Sequence, residues 1–335
     1  MDEIQPPATK ILVIRFSSIG DIVLTTPILR AIKEQVQGVE LHYLTKKENL
    51  QILAPNPRVD KIYCFSRKGK SKLIEQLKAE KYDVVIDLQK SRRSCHIVNA
   101  LHVTHYTFFK VNFLKWVCVN FKLNFLPDLH VVERYFKAVE PIGVLNDHQG
   151  LEYYIPKDEE FDEDDLPMVF EDGFVAFVLG SQHETKRIPE SKIVEIASIL
   201  HKPIMLLGGK DVVNIGENVA AQLGDRAYNG CGKYSLHQSA SILKQADCVI
   251  TGDTGLMHIA AAFNKPTAVI WGNTIPEFGM YPYMPQNRDN FRNFEVCTLK
   301  CRPCSKFGYK KCPRKHFNCM NNISAVEVAD WINKY

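Results

Sequence analysis

A chain of 335 residues is long enough for two domains with cores of their own, and 45% hydrophobic with 24% charged residues is ordinary for a soluble globular protein. A net charge of +4 is too small to argue for nucleic acid. No apolar run reaches the roughly 18 residues of a membrane span, and the polar, Pro-bearing start is no secretory signal. Ten cysteines without an export signal point to reduced thiols, so the expected address is the cytoplasm.

Lys10 to Phe16 is a largely apolar run of the kind a buried parallel strand shows. The turn Ser17-Ser18-Ile19-Gly20-Asp21 follows, then a helical pattern through Ile22, Leu29, Ile32 and Val36 with Pro27 in its first turns. Further strands are predicted at 41–44, 61–65 and 84–88, with helices near 70–80, 91–100 and 129–140. Residues 156–172 are acidic and Pro-bearing, and read as a linker. The alternation then restarts, with strands at 174–179, 204–207, 248–251 and 268–271 and helices near 189–200, 211–223, 235–246 and 254–263. A last amphipathic helix, 323–335, is free to cross back onto the first half. The pattern predicts an α/β protein of two Rossmann-like, doubly wound parallel-sheet domains, 1–155 and 173–322, facing a central cleft. Ligands of such sheets bind beside the carboxyl ends of the strands.

Several of those strand ends carry small, hydroxyl or ionisable residues. Asp253-Thr254-Gly255 sits between an apolar strand and an Ala-rich helix. A helix N-terminus offers unpaired N–H groups and the positive end of the macrodipole, which suit phosphate, and a glycine lets backbone approach closely. The other reading of the turn is a plain helix cap by Asp253. An aspartic protease would need two Asp-Thr-Gly turns in an all-β frame, and this chain has one, between strand and helix. Asp21 is either a cap or a general base, with Ser17, Ser18 and Gly20 beside it. The loop Gly180 to Glu190 brings Ser181, Gln182, Lys186 and Arg187, either a phosphate-facing loop or a solvated basic one. After Gly208 and Gly209, Asp211 is first choice and Glu217 second for a ribose contact, unless either is helix-surface charge. Gly272, Asn273 and Thr274 end the last predicted strand. One cleft needs all these loops together, and that coincidence is the argument.

Phe16-Ser-Ser-Ile-Gly-Asp-Ile-Val-Leu-Thr-Thr-Pro27 resembles the first-strand motif of glycosyltransferase family 9, the ADP-heptose:lipopolysaccharide heptosyltransferases. Thr185-Lys-Arg-Ile-Pro-Glu190 resembles that family's phosphate-lysine loop, and Gly252-Asp-Thr-Gly-Leu-Met-His-Ile-Ala-Ala-Ala262 its nucleotide-diphosphate turn. The resemblance implies a GT-B fold and metal-independent, inverting transfer of heptose from ADP-heptose to a lipid-linked lipopolysaccharide core, without a cofactor. It makes Asp21 the base and Lys186 the group that stabilises the leaving diphosphate. Ser181, Gln182, Thr254 and Gly255 would lie near the phosphates, and His258 on the first helical face, where its other reading is packing. Ile188 stands where the family usually has tryptophan. The one Asp-x-Asp, Asp162 to Asp164, falls in the acidic linker. The alternatives are a transferase or epimerase using another nucleotide sugar, or a non-catalytic sugar-nucleotide-binding protein. Asp21 and Lys186 discriminate, because binding alone needs no base.

Two stretches stand outside this scheme. Cys297, Cys301, Cys304, Cys312 and Cys319, with His316 nearby, lie among Lys and Arg. Cys301 and Cys304 have metal-knuckle spacing, which leaves structural zinc, a local disulfide and free thiols as readings. In 106–126, Phe109, Phe113 and Trp116 at helical spacing alternate with Lys110, Lys115 and Lys122. The periodicity predicts a helix packing its aromatic face on the core, and the alternative is a peripheral contact with anionic lipid at the inner membrane.

Overall fold

The computed structural model describes residues 9–162, 165–166 and 168–335. The first eight residues, and Glu163 and Asp164 of the Asp-x-Asp, lie outside the described residues. The chain forms two compact units, divided differently from the expected halves. One takes residues up to Lys110 and Val131–Tyr154; the other takes Val111–His130 and Ile155–Tyr335.

The first unit is built on five parallel strands: β1 (Lys10–Ile14), β2 (Glu40–Lys46), β3 (Lys61–Phe65), β4 (Val84–Asp87) and β5 (Thr104–Thr107), in the order β3-β2-β1-β4-β5. Strand β1 pairs with β2 from Lys10 opposite Glu40 and with β4 from Ile11 opposite Val84. Its residues Ile11 to Ile14 are buried on both faces, which is why they read as a continuous apolar run. Leu12, Ile14 and Phe16 pack with Leu73, Leu77, Ile97 and Val98 from two of the helices.

The second unit has six parallel strands: β6 (Val175–Val178), β7 (Ile204–Leu207), β8 (Ala227–Asn229), β9 (Cys248–Gly252), β10 (Thr267–Trp271) and β11 (Phe291–Glu295), in the order β11-β10-β9-β6-β7-β8. The winding reverses between β1 and β4 in one sheet and between β6 and β9 in the other. Loops leaving the carboxyl ends of such strands splay apart and leave a crevice for a ligand.

Three expectations change. The final helix, Ala325–Ile332, is part of the second unit's core rather than crossing to the first half. Val328, Ala329, Trp331 and Ile332 are buried in that core beside Ile193 and Ile196, and each large apolar side chain so buried contributes about 1.5–3 kcal/mol. Two described residues of the acidic stretch read as a linker are bonded to the second unit. The Phe161 N–H donates to Ser241 Oγ at 2.9 Å, and Ser235 Oγ to Glu159 at 2.5 Å. In the aromatic stretch a helix forms over Asn112–Phe121, without Phe109 and Lys110, and leaves its rings in solvent, with Phe113 71% exposed. Only its opposite flank packs, through Cys118 against Ile275 and Phe278.

Candidate functional site

The loops after β6 and β9 meet at the second sheet's switch point. The chain leaves β6 through Gly180 and makes a short turn, Glu184–Lys186, whose backbone lies on two strand-end glycines. A Cβ on Gly252 would stand 2.6 Å from the Lys186 carbonyl oxygen, and one on Gly272 would stand 2.8 Å from that of Thr185. Both positions therefore need glycine for close approach rather than for an unusual φ. This seating puts the Lys186 ammonium 2.6 Å from Asp253 Oδ2, and Thr274 Oγ1 donates to the same oxygen at 3.0 Å.

The helix Gly255–Ala262 starts immediately beyond. Its cap is Thr254, not Asp253: Thr254 Oγ1 accepts the Met257 N–H at 3.3 Å and lies 3.1 Å from Thr251 Oγ1. Asp253 is thus released from capping to hold Lys186. His258 is buried in the helix, in keeping with its packing reading.

Asn273, at the end of β10, is 2% exposed, and neither its carboxamide oxygen nor its nitrogen has a partner. A buried amide without partners costs about 1–3 kcal/mol, which a bound polar group would recover. The segment is held from below by Arg302. Its guanidinium donates to the carbonyls of Gly272 at 2.6 Å, Thr274 at 3.0 Å and Val296 at 3.0 Å, and pairs with Glu295 at 2.9 Å. Burial raises the Glu295 carboxyl above its ordinary range even though Arg302 pulls it down. The same irregular loop reaches the Glu184–Lys186 turn, where the Tyr309 N–H donates to Thr185 Oγ1 at 2.8 Å.

Asp211 is paired with Arg187, whose Nε donates to the Ser181 carbonyl at 3.0 Å. Arg187 therefore braces the loop. Gln182 and Glu217 are exposed. His183 has its pKa lowered by burial and by the neighbouring Lys186 charge, against a smaller pull from Asp253.

In the first unit the helix Ile19–Val23 begins with a capping box in which Asp21 Oδ2 accepts both the N–H and the hydroxyl of Ser18 at 2.9 Å. Its other oxygen lies 2.6 Å from Arg15. Arg15 is itself fixed by Ser17 O at 3.0 Å and Leu88 O at 2.6 Å. Burial works to raise the Asp21 pKa, but Arg15 and the two Ser18 bonds outweigh it, and the carboxyl sits below its usual range. Ser17 and Gly20 flank it. Asp21 is thus a cap, and its ionised oxygens stand at the carboxyl end of β1 beside that sheet's switch point.

All ten cysteines are free. Cys301 Sγ lies 3.9 Å from His316 Nε2. Among the described residues, the group of three or more His, Cys, Asp and Glu whose ligand atoms gather within 4.8 Å is Glu40, His42 and Glu80, while Cys301, Cys304 and Cys312 all act on the Cys319 thiol, whose pKa is raised first by burial. The two carboxylates of that trio are paired with Lys10, 3.0 Å from Glu40, and with Lys61, 2.5 Å from Glu80.

The sequence reading missed Arg15, Arg302 and Thr185. An arginine inside the apolar run to Phe16 was a usable signal for the first. The other two act through partners more than a hundred residues away in the case of Thr185, and through backbone carbonyls in the case of Arg302, which no spacing records.

The model of Glycosyltransferase family 9 (heptosyltransferase) matches residues 70–310. The chain belongs to glycosyltransferase family 9. This family 9 chain is 26% identical over 301 residues to lipopolysaccharide heptosyltransferase 1 of Campylobacter coli, covering 79% of this chain and 84% of that one. It is 23% identical over 323 residues to lipooligosaccharide heptosyltransferase 2 of Haemophilus influenzae, covering 89% and 92%. Among solved structures, a family 9 glycosyltransferase from Veillonella parvula matches with TM-score 0.77 at 19% identity, over 99% of this chain and 98% of that one. The E. coli heptosyltransferase WaaC with ADP matches with TM-score 0.68 at 21% identity, over 97% and 99%. The family 9 assignment makes the chain a glycosyltransferase, and its two parallel-sheet units are those of the GT-B fold.

Proposed function

We propose that this family 9 enzyme transfers heptose from ADP-heptose to a lipopolysaccharide core acceptor in one inverting displacement. The acceptor hydroxyl oxygen attacks the anomeric carbon, the bond from that carbon to the diphosphate oxygen breaks, and ADP departs with the electron pair. Asp21 takes the hydroxyl proton; Arg15 and Ser18 orient its carboxylate. Lys186, the Thr254 hydroxyl and the N-terminus of helix Gly255–Ala262 stabilise the charge gathering on the diphosphate, so the chemistry requires no metal. Ser181, Gln182, Asn273 and Gly272 complete the donor-side contacts. Names of relatives such as lipopolysaccharide heptosyltransferase 1 of Campylobacter coli and lipooligosaccharide heptosyltransferase 2 of Haemophilus influenzae support the donor and acceptor classes. A lipid-linked acceptor would place the working enzyme at the cytoplasmic face of the inner membrane.

The observation that carries this reading is the gathering at the carboxyl ends of β6, β9 and β10 of Lys186, the Thr254-capped helix and an Asn273 carboxamide without a partner among the described residues. Thermal unfolding in the presence of nucleoside diphosphates tests it. Ligand at 100 times its Kd stabilises by about 2.7 kcal/mol, so ADP and ADP-heptose should raise Tm well beyond UDP or GDP. A clear preference for UDP would overturn the donor assignment.

A further inference from the structure

The helix Asn112–Phe121 is apolar on both flanks, and only one is covered. Cys118, Val119 and Leu126 pack on Ile275 and Phe278. The other flank holds Phe113, Trp116 and Phe121 in one contiguous ridge, with ring centroids 6.1 Å apart for Phe113 and Trp116 and 5.5 Å for Trp116 and Phe121. Leu123 and Phe125, 52% and 65% exposed, extend it. A ridge of this size facing water marks an occupant, because each Å² of apolar surface left wet forfeits about 25 cal/mol.

The charge around the ridge says which occupant. Residues 111–127 contain Lys115 and Lys122 and no Asp or Glu. Lys122 Nζ donates to the carbonyls of Cys301 at 3.2 Å and Pro303 at 2.7 Å, tying the end of the helix to the cysteine-bearing loop. That loop, 297–319, carries seven Lys and Arg and again no acidic residue. Lys300, Lys310, Lys311, Arg314 and Lys315 are exposed on it, as are Phe307 and Tyr309. Exposed aromatic rings beside a loop that exposes several cations match the interface of an anionic bilayer. There rings lie at the acyl boundary while ammonium and guanidinium groups reach the head groups. An acidic protein would satisfy the cations but would need a matching groove for the rings; a bilayer needs only depth.

We propose that the Phe113–Trp116–Phe121 ridge and the basic 300–315 loop form one docking surface for an anionic lipid bilayer. Its purpose, reaching a lipid-linked acceptor, rests on the function proposed above, but the surface stands on its own chemistry. The full chain should sediment with vesicles containing phosphatidylglycerol, less with pure phosphatidylcholine, and less again as salt rises. Trp116 emission should shift to the blue on binding, since the other two tryptophans, Trp271 and Trp331, are already buried, and Trp116→Phe should abolish that shift. The triple variants Phe113→Ser/Trp116→Ser/Phe121→Ser and Lys310→Glu/Lys311→Glu/Lys315→Glu should each lower vesicle binding. The second should lose about fivefold per cation removed. ADP-induced stabilisation and turnover of a water-soluble, delipidated acceptor should stay unchanged in both variants, which separates lost docking from lost folding. Equal binding to neutral and anionic vesicles, or variants that sediment like the parent chain, overturns the surface. Vesicle binding without ADP stabilisation would sink the donor assignment and leave the surface standing; ADP stabilisation without vesicle binding would do the reverse.

Discussion

Lys186 and Asp253 neutralise each other at the crevice where the donor diphosphate is proposed to bind, with the ammonium 2.6 Å from the carboxylate. The cation is thereby held in place before any ligand arrives, and Asp253 is the group a diphosphate must displace or share. Charge-assisted hydrogen bonds contribute about 1.5–3 kcal/mol, so Lys186→Ala should weaken ADP binding by about ten- to a hundredfold. Asp253→Asn keeps an acceptor for Thr274 while removing the competing charge, and should bind ADP at least as tightly as the parent chain. Isothermal titration of both variants decides the matter; a Kd unchanged in Lys186→Ala would remove the lysine from the phosphate site.

Asp21 can be separated from its capping role by an isostere. Asp21→Asn retains an oxygen for the Ser18 N–H, so the fold and ADP affinity should hold, while turnover should fall by about a hundred- to ten-thousandfold as the base is lost. The pH profile carries a sign. Since the folded pKa lies below the ordinary carboxylate value of about 3.9, the base stays ionised throughout the neutral range. The rate should therefore show no acid limb from Asp21 until pH falls below that value. The linked stability behaves likewise: it is fully present above the unfolded pKa and lost as pH drops through the folded one. An Asp21→Asn enzyme with parental turnover would dismiss the base assignment.

How much of this was legible before the fold was seen depends on burial. The strand ending at Phe16 and the strand 248–252 announced themselves because both faces are covered, so most residues had to be apolar. Strands β5, β8 and β11 went unread. Each lies at a sheet edge, and Thr104–Thr107 or Ala227–Asn229 need no apolar period there. At the candidate site, Asp21, Lys186 and the 253–255 turn were singled out by local pattern alone. Their partners could not be, because Asp253 meets Lys186 across 67 positions and Arg302 works by gathering carbonyls. The aromatic helix shows the converse error: the period was right, but periodicity does not say whether an apolar face has anything to pack against.

Asn273 gives a test in which stability and binding move apart. Replacing a buried, unpartnered carboxamide with a hydrocarbon of similar size removes a desolvation cost, so Asn273→Leu should leave Tm unchanged or raise it. If the carboxamide waits for the donor, ADP-heptose affinity should nevertheless fall by about tenfold, within the range of one lost hydrogen bond. Paired melting curves and titrations would show it, and a stabilised variant with undiminished donor affinity would return Asn273 to a packing role.

Arg302 supports the loop after β10 that is proposed to hold the donor, and its loss should be read through pH. Arg302→Met leaves the Gly272, Thr274 and Val296 carbonyls short of a donor and strands Glu295 as a lone buried charge. Breaking a buried pair this way costs about 3–5 kcal/mol. In the parent chain burial already holds the Glu295 pKa up while Arg302 restrains it; without the guanidinium it must climb further. A carboxyl whose folded pKa is raised penalises the fold above that pKa and ceases to do so once protonated below it. The variant's deficit in Tm should accordingly shrink as pH is lowered from 8 toward 5, and Arg302→Met/Glu295→Gln should recover part of the loss at neutral pH. A deficit that is flat across that interval, together with no recovery in the double variant, would mean that the lost carbonyl bonds alone account for the role of Arg302.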